Sequence, residues 1–289
     1  MINKVALILI AGIFLGSSVV INRLGIAEMP PLFFVFARLS VAAFAFAVTL
    51  LILRRALPTS RKIWIDIAIV GITNAGIPLI FFTLALQFIS SAVLTIFIAL
   101  IPLFTALLGR YWLQQENLTR VKLLGLLLAL GGVLFLIFTG TSGLNISAAL
   151  DLRGQLLAFA GAIIGSISAV YTRKQLQNVD VIVVTAGQFF AGLVIAAPFA
   201  FFGGAINFAA ITARGWFAVV YTGMIGSFLG FLFLFWMIKR YGATIAVLPS
   251  YVMPIVAAAL GSILLGELIT PSLIVGAALV LAGVFFVSR

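Results

Sequence analysis

The sequence contains no cysteine and no histidine, and only six of its 289 residues are acidic. Without cysteine or histidine the chain lacks a thiol nucleophile, a serine–histidine relay and the usual ligands of a zinc site. It has no G-x-x-x-x-G-K-[ST] phosphate loop, and no apolar run holds a pair of aspartates in its middle. We therefore predict no catalytic residue, no metal and no cofactor, and we do not expect an enzyme.

Charged residues of either sign are also few. They make up 8% of the chain, against roughly 25% in soluble domains, while 64% of the residues are hydrophobic. A membrane-spanning helix needs about 20 apolar residues, and the sequence offers ten such runs joined by short connections. We predict an all-α integral membrane protein with ten transmembrane helices. These cover residues 4–24, 31–53, 63–85, 90–111, 121–139, 154–173, 181–202, 214–238, 243–265 and 271–288.

Lysine and arginine are unevenly distributed between the ends of these helices. If the N-terminus is cytoplasmic, all of the 17 basic residues lie at inner ends except Arg23, Arg38, Arg153 and Arg214. Cytoplasmic segments of membrane proteins carry such an excess, so we predict a multi-pass protein of the plasma (inner) membrane with both termini cytoplasmic. The net charge of +11 is spread over many helix ends, which does not suggest nucleic acid as a partner.

The chain contains an internal repeat. Residues 113–135 align without a gap with residues 264–286. The matched pairs that apolar composition does not explain are Glu116 with Glu267, Thr119 with Thr270, Gly125 with Gly276, and Gly132 with Gly283. Weaker matches between the earlier helices extend the repeat over the rest of the chain.

The repeat predicts two five-helix halves, residues 1–145 and residues 146–289. Because five is an odd number, the second half must cross the membrane in the opposite sense to the first, which makes this an inverted repeat. Two copies of one shape in opposite orientations are suited to alternating access, in which a central site opens to one side of the membrane at a time.

The chain resembles the drug/metabolite transporter superfamily. The resemblance depends on L-x-x-E-x-x-T at 113–119, G-E-x-x-T at 266–270, the glycine-bearing first and sixth helices, and the F-A-R that ends at Arg38. It is most similar to the EamA-type exporters, with amino-acid exporters of the YddG kind as the narrower resemblance. This implies export through a central cavity made by helices 1 to 4 and 6 to 9. Many members carry a tryptophan beside the glycine of helix 1, a position where this chain departs from the pattern.

Arg38 places a permanent positive charge inside the second apolar run. A charge at the centre of a membrane helix is costly, so we expect a partner for it. One hypothesis is structural, with the partner being a carbonyl group on a kinked neighbouring helix or the carboxylate of Glu267. The other is functional, because a planar guanidinium binds a substrate carboxylate through two parallel hydrogen bonds.

Polar residues and prolines within other apolar runs extend the set of candidates. Each also has a structural interpretation, either as a contact between helices or as a static kink. The further candidates for substrate binding are Ser17, Asn74, Thr95, Ser166, Gln188, Tyr221, Ser250 and Tyr251, and the candidate hinges are Pro78, Pro102 and Pro254. Among them, Gln188 aligns with Arg38 in the repeat.

The sequence therefore predicts a secondary transporter that exports small metabolites, amino acids being the leading class, by alternating access through a central cavity. Its expected partners are a small-molecule substrate and the lipid bilayer. A second hypothesis is an exporter of drugs or organic cations, although the charge of Arg38 would repel cations. A third is a non-transporting membrane scaffold, which would need a long polar tail or an exposed domain that these short connections do not supply.

Overall fold

The computed structural model describes residues 4–113, 120–144, 152–202, 206–241 and 248–287. These residues are helical and contain no β-strand. In chain order the helices are α1 (Lys4–Ile26), α2 (Pro31–Leu53), α3 (Arg61–Ala85), α4 (Ser91–Ile98 with Ile101–Leu113), α5 (Arg120–Phe138), α6 (Arg153–Gln175), α7 (Val181–Phe202), α8 (Ala213–Tyr221, Thr222–Leu229 and Gly230–Tyr241), α9 (Pro249–Leu265) and α10 (Pro271–Val287).

Seven of these helices, α1 to α4 and α6 to α8, are long and apolar enough to cross a membrane. The described parts of α5, α9 and α10 are apolar but shorter. Large apolar side chains such as Phe44, Leu51 and Ile263 are exposed on the outside of the bundle, as expected for surfaces in contact with lipid. The all-helical membrane fold is confirmed, while the count of ten transmembrane spans stays a prediction.

Two helices contain a π-helical segment, and these segments occupy matching positions in the two halves. One covers Gly71–Gly76 in α3 and the other covers Thr222–Leu229 in α8. In α3, Pro78 follows the π segment and has no N–H to donate to the carbonyl one turn earlier, which favours the wider turn. A π segment widens the helix and frees backbone groups, and such segments are frequent at functional sites.

The three candidate hinge prolines differ in their surroundings. Pro78 lies at the end of the π segment of α3, and Pro102 directly follows the interruption of α4 at residues 99–100. Pro254 lies inside α9, which is continuous across it. The helix is thus interrupted beside Pro102 and continuous across its repeat equivalent Pro254, and a hinge role for any of the three prolines stays a prediction.

Helices α5 and α10 are equivalent in the repeat and pack against each other through glycine. A Cβ atom added at Gly132 would lie 2.9 Å from the carbonyl oxygen of Gly276. In the symmetric position, a Cβ at Gly283 would meet the carbonyl oxygen of Gly125. Close helix packing in lipid depends on small residues, so these four glycines hold the two halves together.

We expect Gly132→Val to lower the stability of the folded protein by about 1–3 kcal/mol, the usual effect of overpacking. The neighbouring Gly131 provides the matched control, because nothing lies within 4 Å of a Cβ added there. Thermal unfolding in detergent measures the difference. Equal melting temperatures for Gly132→Val and Gly131→Val would contradict the proposed close contact.

Candidate functional site

Arg38 extends from α2 to the π segment of α8. Its side chain is buried, with 7% of the residue exposed, and its Nε donates a hydrogen bond to Ser227 Oγ at 2.9 Å. Among the described residues, neither terminal guanidinium nitrogen has a hydrogen-bond partner, and no carboxylate forms an ion pair with Arg38. Ser227 fixes the orientation of the guanidinium and leaves Nη1 and Nη2 available.

The space beside that guanidinium depends on Gly226. A Cβ atom at Gly226 would lie 3.5 Å from Arg38 Nη2 and would collide with the Oγ of Ser18 on α1. Three helices, α1, α2 and α8, therefore meet at this glycine. Any larger residue at position 226 would displace Ser18 or the guanidinium.

A second contact joins α1 to α8 in the same region. Ser17 Oγ and Tyr221 OH share a hydrogen bond of 2.9 Å, and Tyr221 lies directly before the π segment. Both residues belong to the predicted set of substrate contacts. In this conformation they bind each other, and Ser17 also donates to the carbonyl oxygen of Ile13.

Asn74 and Gln188 form the counterpart of the Arg38 site in the other half of the repeat. Gln188, on α7, reaches the π segment of α3, where its Oε1 accepts a hydrogen bond of 2.9 Å from Asn74 Nδ2. Gln188 is 1% exposed, and its Nε2 has no partner among the described residues. Each half therefore extends a polar side chain from its second helix into the π segment of the other half, and each leaves nitrogen donors unused.

The remaining candidates are placed differently. Thr95 is fully buried and donates to the carbonyl oxygen of Ala92 in its own helix. Ser166 donates to the carbonyl oxygen of Ile101, at the interruption of α4. Ser250 and Tyr251 are half-buried in the first turn of α9. The hydrogen bonds of Thr95 and Ser166 are thus made to backbone and not to the Arg38 site.

Two clefts are present on the surface of the described residues. One, of about 360 Å³, lies between α3 and α7 beside Trp64 and Gly187. The other, of about 520 Å³, lies between the end of α3 and the start of α6 beside Phe88 and Arg153. None of the nine candidate substrate contacts lines either cleft, so the central cavity stays a prediction.

The model of the EamA-like transporter family matches the chain twice, at residues 3–138 and residues 152–289. The chain belongs to the EamA-like transporter family. Its relatives are transporters and not enzymes, in agreement with the sequence prediction. The predicted boundary between residues 145 and 146 lies outside the described residues and stays a prediction.

Several transporters resemble this EamA-like transporter along most of their length. The uncharacterized transporter YoaV of Bacillus subtilis is 27% identical, over 93% of this chain and 91% of YoaV. A probable amino-acid metabolite efflux pump of Salmonella typhimurium is 24% identical, over 93% of this chain and 89% of the pump. A protein of known crystal structure shares the fold with a TM-score of 0.69 at 21% identity, covering 97% of this chain and 95% of its own.

In this transporter, Glu267 is bound to Arg23 and Ser91 and not to Arg38, which corrects one hypothesis from the sequence. Its carboxylate accepts hydrogen bonds from the backbone N of Ser91 at 3.0 Å and from Ser91 Oγ at 2.9 Å. Glu267 Oε1 also lies 3.4 Å from Nε of Arg23, whose Nη1 donates to the carbonyl oxygen of Ile89 at 2.6 Å. We call Arg23, Glu267 and Ser91 the outer tie, because they join α1, the start of α4 and the connection between α9 and α10 at the predicted outer side.

Sequence reasoning missed Ser18, Asn22 and Ser227, and it missed the pairing of Arg23 with Glu267. Ser18 and Asn22 lie four residues apart and so share one face of an otherwise apolar helix, a signal that the sequence does contain. Ser227 had no such signal, because only the packing of α8 on α2 places it beside Arg38.

Proposed function

We propose that this EamA-like transporter exports small amphipathic metabolites, above all α-amino acids, by alternating access between its two inverted halves. Arg38 carries the proposal, because it is a buried residue whose terminal nitrogens have no hydrogen-bond partner among the described residues. In this mechanism the guanidinium binds the carboxylate of the substrate. Ser227 holds Arg38 in the orientation that this contact needs.

The positive charge of Arg38 inside the membrane is energetically unfavourable. An arginine at the centre of a membrane helix costs about 2.5–3.5 kcal/mol on insertion scales. One neutral hydroxyl at Nε compensates only part of that cost, whereas a carboxylate neutralises the charge and accepts two parallel hydrogen bonds. An organic cation would be repelled at the same position, which disfavours the drug or organic-cation hypothesis.

The comparison with relatives supports the substrate class. The Salmonella typhimurium relative is named as a probable amino-acid metabolite efflux pump. At 24% identity this relationship is distant, so it supports amino acids as the first class to test without selecting a particular one. The narrower resemblance to amino-acid exporters of the YddG kind is part of the same proposal.

The outer tie supports the proposed mechanism. It joins segments of both halves, and Glu267 is nearly inaccessible within it. Export by alternating access requires the outer side to open for release and to close again. The conformation described is consistent with the closed stage of that cycle at the predicted outer side.

Flux measured in proteoliposomes tests the function. The purified full-length protein is reconstituted and assayed with a panel of amino acids and organic cations, with and without a pH gradient. We expect amino acids to be transported down their own gradient, because the described middles of the helices contain no unpaired carboxylate that would load and unload protons. Transport of cations alone, or no transport of any compound, would contradict the proposal.

Cysteine labelling tests the proposed topology. Because the chain has no cysteine of its own, Ala27→Cys and Ser60→Cys each introduce a single, exposed thiol. With both termini cytoplasmic, a membrane-impermeant maleimide should label position 27 from outside the cell and position 60 only after lysis. Labelling of both positions from the same side would contradict the inverted repeat.

A further inference from the structure

Two buried oxygen atoms on α1 have no hydrogen-bond donor among the described residues. They are Ser18 Oγ and Asn22 Oδ1, and each residue is only 3% exposed. Asn22 is oriented by its Nδ2, which donates to Thr83 Oγ1 at 3.2 Å and leaves the carbonyl oxygen of the amide as a free acceptor. Buried polar atoms nearly always have partners, so two unpaired acceptors one turn apart require an explanation.

One of these acceptors, Ser18 Oγ, lies beside the unused donors of Arg38. A Cβ atom added at Gly226 would collide with Ser18 Oγ and would lie 3.5 Å from Arg38 Nη2. Asn22 follows Ser18 by one helical turn, a rise of about 6 Å towards the predicted outer end of α1. Ser18 Oγ therefore lies close to the charged donor group of Arg38 where α1, α2 and α8 meet, and Asn22 lies one turn further along the same face of α1, where its amide contacts Thr83 of α3.

We infer that Ser18 and Asn22 bind the ammonium group of the substrate whose carboxylate is bound by Arg38, so that the site selects zwitterionic α-amino acids. The inference rests on the proposed function and adds the second half of the recognition. An ammonium group supplies three N–H donors, enough for both oxygens. Because α-amino acids carry both charges on one carbon, only groups a few ångströms apart bind them together.

The arrangement predicts that two related classes of compound are rejected. A carboxylate without an amino group neutralises Arg38 but leaves both oxygens of α1 unpaired. An amine without a carboxylate reaches those oxygens but meets the uncompensated charge of Arg38. Specificity of this kind comes from buried groups that the wrong ligand fails to pair.

Binding of three matched probes to the purified full-length protein tests the inference. The probes are L-leucine, 4-methylpentanoate, which lacks its amino group, and 3-methylbutylamine, which lacks its carboxylate. We expect Asn22→Leu to weaken leucine binding by about ten- to a hundredfold, the effect of losing a hydrogen bond to a charged group. Its affinity for 4-methylpentanoate should stay within about twofold of the wild type, since that probe never uses Asn22.

Further variants separate binding from folding. Ser18→Ala is a smaller change and should lower leucine affinity selectively, while Asn22→Asp keeps an oxygen acceptor and should retain leucine binding. Ser168→Ala is the matched control, because Ser168 is a buried serine on α6 that already accepts a hydrogen bond from Thr73 at 2.8 Å. It should bind leucine as the wild type does.

The outcomes distinguish this inference from the proposed function. If the wild type binds leucine but Ser18→Ala and Asn22→Leu weaken leucine and 4-methylpentanoate by the same factor, the ammonium role is wrong and the proposed function stands. If the wild type neither binds nor transports leucine or any other α-amino acid, the proposed function fails, and the inference fails with it.

Discussion

Arg38→Lys is expected to fold normally and to reduce the flux of leucine at least tenfold in proteoliposomes. Lysine keeps the positive charge but presents a single ammonium group instead of a planar fork with five N–H donors. Arg38 can donate to Ser227 through Nε while its terminal nitrogens bind both oxygens of a carboxylate. Lysine cannot make these contacts at the same time. The loss should be specific for substrates that carry a carboxylate.

The substrate dependence of that loss separates function from structure. We expect the flux of the amidated and decarboxylated analogues of leucine to be low in the wild type and to change by less than about threefold in Arg38→Lys. Arg23→Lys is the control, since this arginine also lies near the predicted outer end but pairs with Glu267. It should affect all substrates alike.

A structural role for Arg38 would give a different result. The flux of every compound would fall by the same factor, or the variant would not be recovered as a folded protein. Ser227→Ala provides a milder test, because it removes the hydrogen bond at Nε without altering the charge. If Ser227→Ala melts as the wild type does and yet lowers leucine flux, the orientation of Arg38 matters for transport and not for folding.

Glu267→Gln is expected to open the predicted outer side and to stop the transport cycle. The substitution removes the charge that compensates Arg23, in a pair where the carboxylate side chain is 4% and the arginine side chain 21% exposed. Loss of such charge-assisted contacts costs about 1.5–3 kcal/mol, which shifts a two-state population by about ten- to a hundredfold. A carrier trapped in one conformation binds substrate but does not turn over.

Spin labels measure the opening directly, and the absence of native cysteine makes the label sites unique. Gln87→Cys and Ile269→Cys place labels on two exposed connections that the outer tie joins. Pulsed dipolar spectroscopy should give a longer distance between them in the Glu267→Gln background. An unchanged distance together with normal flux would show that the outer tie is not part of the gate.

Asp180→Asn is the matched control for the loss of an ion pair. Asp180 Oδ2 lies 3.2 Å from Arg55 Nη1 at the predicted inner side, in a pair where both side chains are more than a third exposed. Exposed pairs contribute little, and asparagine keeps the side-chain oxygen that accepts from the backbone N of Ile182. The distance between the outer labels and the flux should both stay as in the wild type.

The membrane location, the all-helical fold and the family can be predicted from the amino-acid sequence alone. These follow from hydropathy, from the spacing of glycines and from two matching halves, and all are properties of residues close together in the chain. Transfer of an apolar segment into lipid depends on the composition of that segment. The apolar run at residues 31–53 therefore begins and ends at the same residues as α2. The candidate set from the sequence likewise included Arg38, Asn74 and Gln188 without indicating which of them would meet.

The hydrogen-bond partners of the buried polar residues depend on the tertiary structure. Arg38 binds Ser227 across 189 positions of the chain, and Ser91 binds Glu267 across 176. Such contacts depend on how far each helix is rotated about its axis and shifted along its neighbour, and in lipid these are set by small residues such as Gly226. Hydropathy is insensitive to that rotation, because apolar residues cover most of the surface of these helices. The sequence therefore placed Arg38 in the membrane, and the packing of α1, α2 and α8 gave it its neighbours.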